Sequence, residues 1–141
     1  MYARKDRKRR AFTLVELLVV IVIIGILATF VAPNVIRSLG TSKVKLARAK
    51  MALIENALDR FYMDCGRYPS DAEGLDALLY NTGDPGWNGP YLKQSQIIDP
   101  WGTPYIYVAE GAVNQGSYDI ISLGADGQEG GDGENADIYN D

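Results

Sequence analysis

The chain has 141 residues, 14 Lys plus Arg, 18 Asp plus Glu and no His, for a formal net charge of −4. The length suits one domain of ordinary size. The absence of His excludes Ser-His-Asp and Cys-His catalysis, His-ligated zinc and an imidazole proton shuttle, and the single cysteine, Cys65, excludes an internal disulfide or a thiolate metal cluster. The net charge conceals a segregation. Residues 1–11 set Arg4, Lys5, Arg7, Lys8, Arg9 and Arg10 against Asp6, a net +5. From Phe12 onward 8 basic groups face 17 acidic ones, a net −9, and the last basic residue is Lys93. Such asymmetry points to a targeting or processed segment, or to a tail with its own partner.

Directly after the basic block, Leu17 to Ile36 contains no charged side chain, about twenty residues, the length a helix needs to cross a bilayer core. β-branched residues dominate the run, but no turn signal interrupts it and a strand of this length is abnormal, so a membrane helix is predicted. The basic block stays cytoplasmic and everything beyond Pro33 lies outside. A conventional cleaved signal peptide fits less well, because the run exceeds an ordinary h-region and lacks a small-x-small site at its end. Glu16 interrupts the apolar pattern between Val15 and Leu17. Unpaired in hydrocarbon, a carboxylate costs several kcal/mol. Two readings stand on periodicity alone: Glu16 sits at the membrane edge and reaches the headgroups, or it pairs with a cation from another chain during assembly.

The basic leader, a small residue, then Phe12-Thr13-Leu14-Val15-Glu16 opening an apolar helix resembles the type IV pilin and pseudopilin signal. The resemblance implies that a prepilin peptidase cuts between Ala11 and Phe12 on the cytoplasmic side and methylates the new Phe12 amine. It also implies that Glu16, at the fifth position after the cut, recruits a neighbouring subunit with the Phe12 α-amine as its charge partner. Pro33 falls where that family has a helix-loosening proline. Ala11 departs from it, since the family usually has Gly before the cut.

Beyond Asn34 the pattern changes. Val44, Ala47, Met51, Ile54, Leu58 and Phe61 recur at helical spacing, one face of an amphipathic helix. Pro33 and Gly40 predict a kink or a melted turn across residues 33–40. If mostly helical, residues 13–62 extend about 75 Å at 1.5 Å per residue. The basic cluster Lys43–Lys50 is short, lacks interleaved aromatics and belongs to an acidic body. It reads as a solvated or subunit-facing surface and not as a nucleic-acid site.

Residues 63–125 carry turn residues and aromatics. Ser70 with Glu73 matches a capping box that starts a short helix burying Leu75, Leu78 and Leu79. Tyr105–Val108 and Ser117–Ser122 read as strands of a small antiparallel sheet. Trp101 and Tyr105 read as core aromatics beside a Pro-Gly turn rather than as pocket walls. Cys65, without a His partner or a second nearby cysteine, is not a catalytic thiol.

Three stretches are similar to the major pseudopilin family of type II secretion: Arg67-Tyr68-Pro69 followed by Glu73-Gly74-Leu75; Asp99-Pro100-Trp101-Gly102; and Tyr118-Asp119 leading to Ser122-Leu123-Gly124-Ala125-Asp126-Gly127. A lone cysteine also suits a pseudopilin better than a type IV pilin, which often closes its C-terminal region with a disulfide. The last sixteen residues hold Asp126, Glu129, Asp132, Glu134, Asp137 and Asp141 and no basic residue. Composition alone reads them as a disordered acidic tail, and their spacing does not match an EF-hand. The resemblance implies instead a structural calcium loop, with ligands from the Leu123 carbonyl, Asp126 and Asp137, joined by Glu134 and Asn135.

The expected protein is α+β and not an enzyme: a leader at 1–11, a transmembrane and assembly helix at 12–36, an amphipathic helix at 37–63 and a head at 64–141. The family likeness further implies a homopolymer in the inner membrane, single-pass with a periplasmic head. Its partners would be a prepilin peptidase, minor pseudopilins and an inner-membrane assembly platform, and the filament would drive export of folded proteins. Two alternatives are a subunit of a surface pilus and a non-polymerising membrane-anchored calcium-binding domain.

Overall fold

The apolar run and the helical spacing that follows it form one continuous helix, α1 (Leu14–Cys65), 52 residues long. The structure, a computed structural model, describes residues 11–141, so the basic leader lies outside the described residues apart from Ala11. α1 stops where Gly66 takes φ +74°, its N–H bonded to the Tyr62 carbonyl at 2.8 Å, a left-handed end that glycine adopts without strain. Of the kink or melted turn expected at 33–40, the melted turn is not found: residues 33–40 are helical throughout, Pro33 included. Proline removes a single backbone bond, and a helix already nucleated over many turns tolerates that loss.

The described residues divide into two units between Ser38 and Leu39. In the first, the described apolar side chains of α1 are exposed, among them Leu14 at 82% and Phe30 at 70%. This segment is long and apolar enough to cross a membrane.

The second unit begins with the remainder of α1, which buries Ala47, Met51, Ile54, Leu58 and Phe61. Val44 packs half-buried against them. The predicted short helix forms as a 3₁₀ turn over Gly74–Leu78 and buries Leu75, Leu78 and Leu79. The expected Ser70–Glu73 box closes the turn just before this helix rather than capping it: Ser70 N–H donates to Glu73 Oε2 at 2.8 Å, and Glu73 N–H donates to Ser70 Oγ at 3.4 Å, while Glu73, the N-cap itself, makes no side-chain cap bond. Arg67 donates to both oxygens of Glu73 and also to Asp84, tying two loops together. Three strands, β1 (Ile106–Val108), β2 (Asp119–Ser122) and β3 (Ile138–Tyr139), form an antiparallel sheet in the order β1-β2-β3. Tyr107 faces Ile120, and Ser122 faces Ile138. The third strand comes from the acidic region that composition alone read as a tail; Ile138 and Tyr139 supply its apolar pair.

Candidate functional site: the helix N-terminus and the acidic loop

Thr13 and Glu16 cap α1. Thr13 N–H donates to Glu16 Oε2 at 3.2 Å, Thr13 Oγ1 donates to the same oxygen at 3.3 Å, and Glu16 N–H donates back to Thr13 Oγ1 at 3.2 Å. This is a reciprocal capping box that supplies acceptors for helix-end N–H groups. Glu16 therefore has a local role that neither sequence reading weighed, although Thr-x-x-Glu before an apolar run carries the pattern. Both contacts fall on Oε2, and among the described residues Oε1 accepts no hydrogen bond. One carboxylate oxygen thus remains for a second partner. Ala11 and Phe12 precede the helix outside regular secondary structure and are both exposed, Phe12 at 86%.

The acidic loop links β2 to β3 and folds back on itself. Ala125 N–H donates to the Glu134 carbonyl at 2.8 Å. Gly124, at φ +68°, lies so close that an added Cβ would sit 2.7 Å from the Glu134 carbonyl oxygen and 2.8 Å from the Asn135 carbonyl carbon. The Leu123–Asp126 turn and the 134–136 backbone are thereby brought together. Asp126 Oδ1 accepts from Gln128 N–H at 3.1 Å, and Asp137 Oδ2 accepts from Gly130 N–H at 3.0 Å. Asp137 Oδ1 is buried with no hydrogen-bond partner. A buried carboxylate oxygen left without a donor is costly, and a cation is a partner that removes the cost. The donors this loop can offer, carboxylates and backbone carbonyls, are the hard, oxygen-only kind that suits calcium. Glu134 is placed differently from the other expected ligands. Its side chain lies against Gly40 of α1, where an added Cβ would come 1.9 Å from its carboxyl carbon. Among the described residues no three acidic side chains converge closely enough to hold a metal by themselves, so carbonyl ligands are essential to any site in this loop.

The remaining candidates are structural. Tyr105 is 5% exposed and its hydroxyl donates to the Ala47 carbonyl at 3.0 Å; Trp101 packs half-buried against the same core. The Cys65 thiol is pushed up by burial first and by neighbouring Asp84 next, the opposite of an activated nucleophile. Two buried carboxylates went unread in the sequence. Asp99 Oδ1 accepts from Trp101 N–H at 3.0 Å and Thr103 N–H at 2.9 Å, and its Oδ2 accepts from Ser122 Oγ at 2.7 Å. This explains the Asp99-Pro100-Trp101-Gly102 stretch as a turn bolted to β2. Asp119, 1% exposed, accepts from the N–H groups of Ala112, Val113 and Asn114 and from the Asn114 side chain.

Comparison with known proteins agrees with this arrangement. Residues 34–141 match the family described as Type II secretion system (T2SS), protein G, and residues 6–32 match the prokaryotic N-terminal methylation motif. The chain is 45% identical to the type II secretion system core protein G of Pseudomonas aeruginosa, over 95% of this chain and 96% of that protein. It is 42% identical to the core protein G of Vibrio cholerae, over 97% and 94%. The crystal structure of the major pseudopilin from the type 2 secretion system of enterohaemorrhagic Escherichia coli is similar with a TM-score of 0.62 at 26% identity, covering 77% of this chain and 94% of that one. The chain belongs to the type II secretion system protein G family.

Proposed function

We propose that this chain is the major pseudopilin subunit of a type II secretion system, polymerising into a periplasmic pseudopilus that drives export of folded proteins across the outer membrane. The observation that carries this reading is the first unit of α1, whose described apolar side chains are exposed behind a lone carboxylate. Such a surface needs lipid before assembly and neighbouring helices afterwards. Cleavage between Ala11 and Phe12 by a prepilin peptidase removes the +5 leader and leaves a methylated amine on Phe12. The free Oε1 of Glu16 then accepts that amine from the adjoining subunit, while Oε2 keeps the helix capped. The subunit sits in the inner membrane as a single span with its head in the periplasm. It meets the assembly platform and minor pseudopilins there, and catalyses nothing.

A calcium ion in the acidic loop belongs to the same reading. The Leu123 carbonyl, Asp126 and Asp137 would hold it, with Asn135; Glu134 joins only if its side chain leaves Gly40. When bound, the ion supplies positive charge that orders a glycine-rich, acidic segment. The orphaned oxygen of Asp137 supports this assignment.

Glu16→Ala tests the assembly role. Filaments should be lost from cells carrying the secretion machinery while the chain still inserts in the membrane; unchanged filament yield would refute it. For the ion, calcium at about 100 times its dissociation constant should stabilise the head by about 2.7 kcal/mol. Identical melting with and without chelator would refute the site.

A further inference from the structure

The second unit leaves one side of α1 uncovered. Leu39, Leu46 and Leu53 are 61%, 51% and 49% exposed, although each is large and apolar. Their seven-residue spacing drifts only about 20° per step around a helix, so the three stack along one side. Ser42, Ala49 and Asn56, also exposed, fall between them at the alternate three- and four-residue steps. The stripe is therefore a narrow seam two positions wide per heptad. That width suits packing against protein, whereas a helix lying in lipid needs a broad apolar face.

Lys43 and Lys45 edge the seam on either side, both exposed. Among the described residues neither has an ion-pair or hydrogen-bond partner. Their neighbours are engaged. Arg48 pairs with Asp141 at 3.0 Å, and Lys50 donates to the carbonyls of Ser95 and Ile98 at 3.2 and 2.7 Å. The cations at the seam thus face outward in a chain whose other charges oppose them: residues 39–63 hold 5 basic and 2 acidic side chains, a net +3, and residues 64–141 hold 2 basic and 14 acidic, a net −12.

We infer that the Leu39–Leu46–Leu53 seam, edged by Lys43 and Lys45, is the face of α1 on which a second copy of this chain docks its acidic head. The opposite charges of the two surfaces select that partner and orient it, and burial of the leucines holds it. An anionic lipid surface is the competing occupant and would draw on the same two lysines; the polar Ser42 and Asn56 positions argue against it. The inference rests on the filament reading and refines it, by assigning a subunit contact to the second unit of α1 in addition to the apolar first unit.

The test uses the full chain in cells carrying the secretion machinery. Leu46→Asp/Leu53→Asp should lower the assembled fraction at least about tenfold, since burying one leucine is worth more than a factor of ten, and should leave melting of the head unchanged. Filaments at wild-type level would overturn the inference and leave the filament reading standing. Absence of wild-type filaments would instead overturn that reading. Should the double variant melt lower, Lys43→Glu/Lys45→Glu decides: reduced assembly supports the seam, and unchanged assembly overturns it. A benzophenone maleimide placed on Leu46→Cys in a Cys65→Ser background should give adducts of twice the chain's mass upon illumination. Adducts only to lipid or to a different protein would overturn the choice of partner.

Discussion

Asp119→Asn isolates the buried carboxylate that holds the 111–117 loop against β2. The native side chain accepts four hydrogen bonds of 2.7–2.9 Å at 1% exposure. Burial alone would raise its pKa, but the N–H groups of Val113, Asn114 and Ala112 and the Asn114 amide outweigh burial and lower it. In the variant an NH2 group replaces one acceptor and confronts backbone donors. Hydrogen bonds to a charged group are worth about 1.5–3 kcal/mol each. They do not add, because water reaches some of the donors once the loop relaxes, so about 2–3 kcal/mol is expected. For a unit of about 100 residues that lowers the melting temperature by about 10–20 °C. The pH dependence has a definite sign. Because the folded pKa is depressed, this stabilisation is complete above the unfolded value near 3.9 and is lost as pH falls through the folded value. Thermal melting of the full chain in detergent, followed by circular dichroism from pH 7 downward, should show the wild type and variant converging in acid. A variant melting within about 2 °C of wild type at pH 7 would refute the reasoning, since even one charged hydrogen bond should exceed that shift.

Arg67→Gln should release Glu73. Its carboxyl is held at about 2, by the Arg67 hydrogen bonds first and the Ser70 N–H next, and NMR titration should find it risen toward 4.5; an unmoved titration would show that Arg67 is not the cause. The native pair stabilises the fold above the unfolded pKa and ceases to as pH falls toward 2, so the variant should melt with less dependence on acid. Gly124→Ala should cost more than Gly130→Ala. Both take positive φ, worth about 1–3 kcal/mol to a non-glycine residue, but only at Gly124 would a Cβ meet backbone, 2.7 Å from the Glu134 carbonyl oxygen. Equal losses in chemical denaturation would mean that the loop yields freely at that contact.

The long helix, its buried face and the first two strands were legible because each rests on a local signal: charge-free length, three- and four-residue spacing, and β-branched runs between turn residues. Tyr105 was legible as core for the same reason. The third strand was not, since two apolar residues, Ile138 and Tyr139, are too few to register a period against twelve acidic and glycine-rich neighbours. They become a strand only because β2 offers an open edge. Asp119 depends on donors five to seven residues away and Asp99 on the Ser122 hydroxyl of β2, which no spacing rule encodes; only the Asp99 bond to the Trp101 N–H, two residues on, follows the local Asx-turn pattern. The Thr13–Glu16 box is legible in principle, since Thr-x-x-Glu before an apolar run is a local pattern. The placement of Glu134 on Gly40 joins positions 94 apart in sequence, and only the folded chain brings them together.

The order of the sheet sets a sequence of events for the folding of the head. β2 is central, yet of its two neighbours β3 follows it in the chain, beyond the whole glycine-rich loop. Until Ile138 and Tyr139 arrive, the edge of β2 at Ile121 and Ser122 presents unpaired backbone groups to any passing strand. The interval in which the head is vulnerable to mispairing is therefore the time taken to close that loop. Whatever shortens the closure acts as a folding aid as well as a stabiliser.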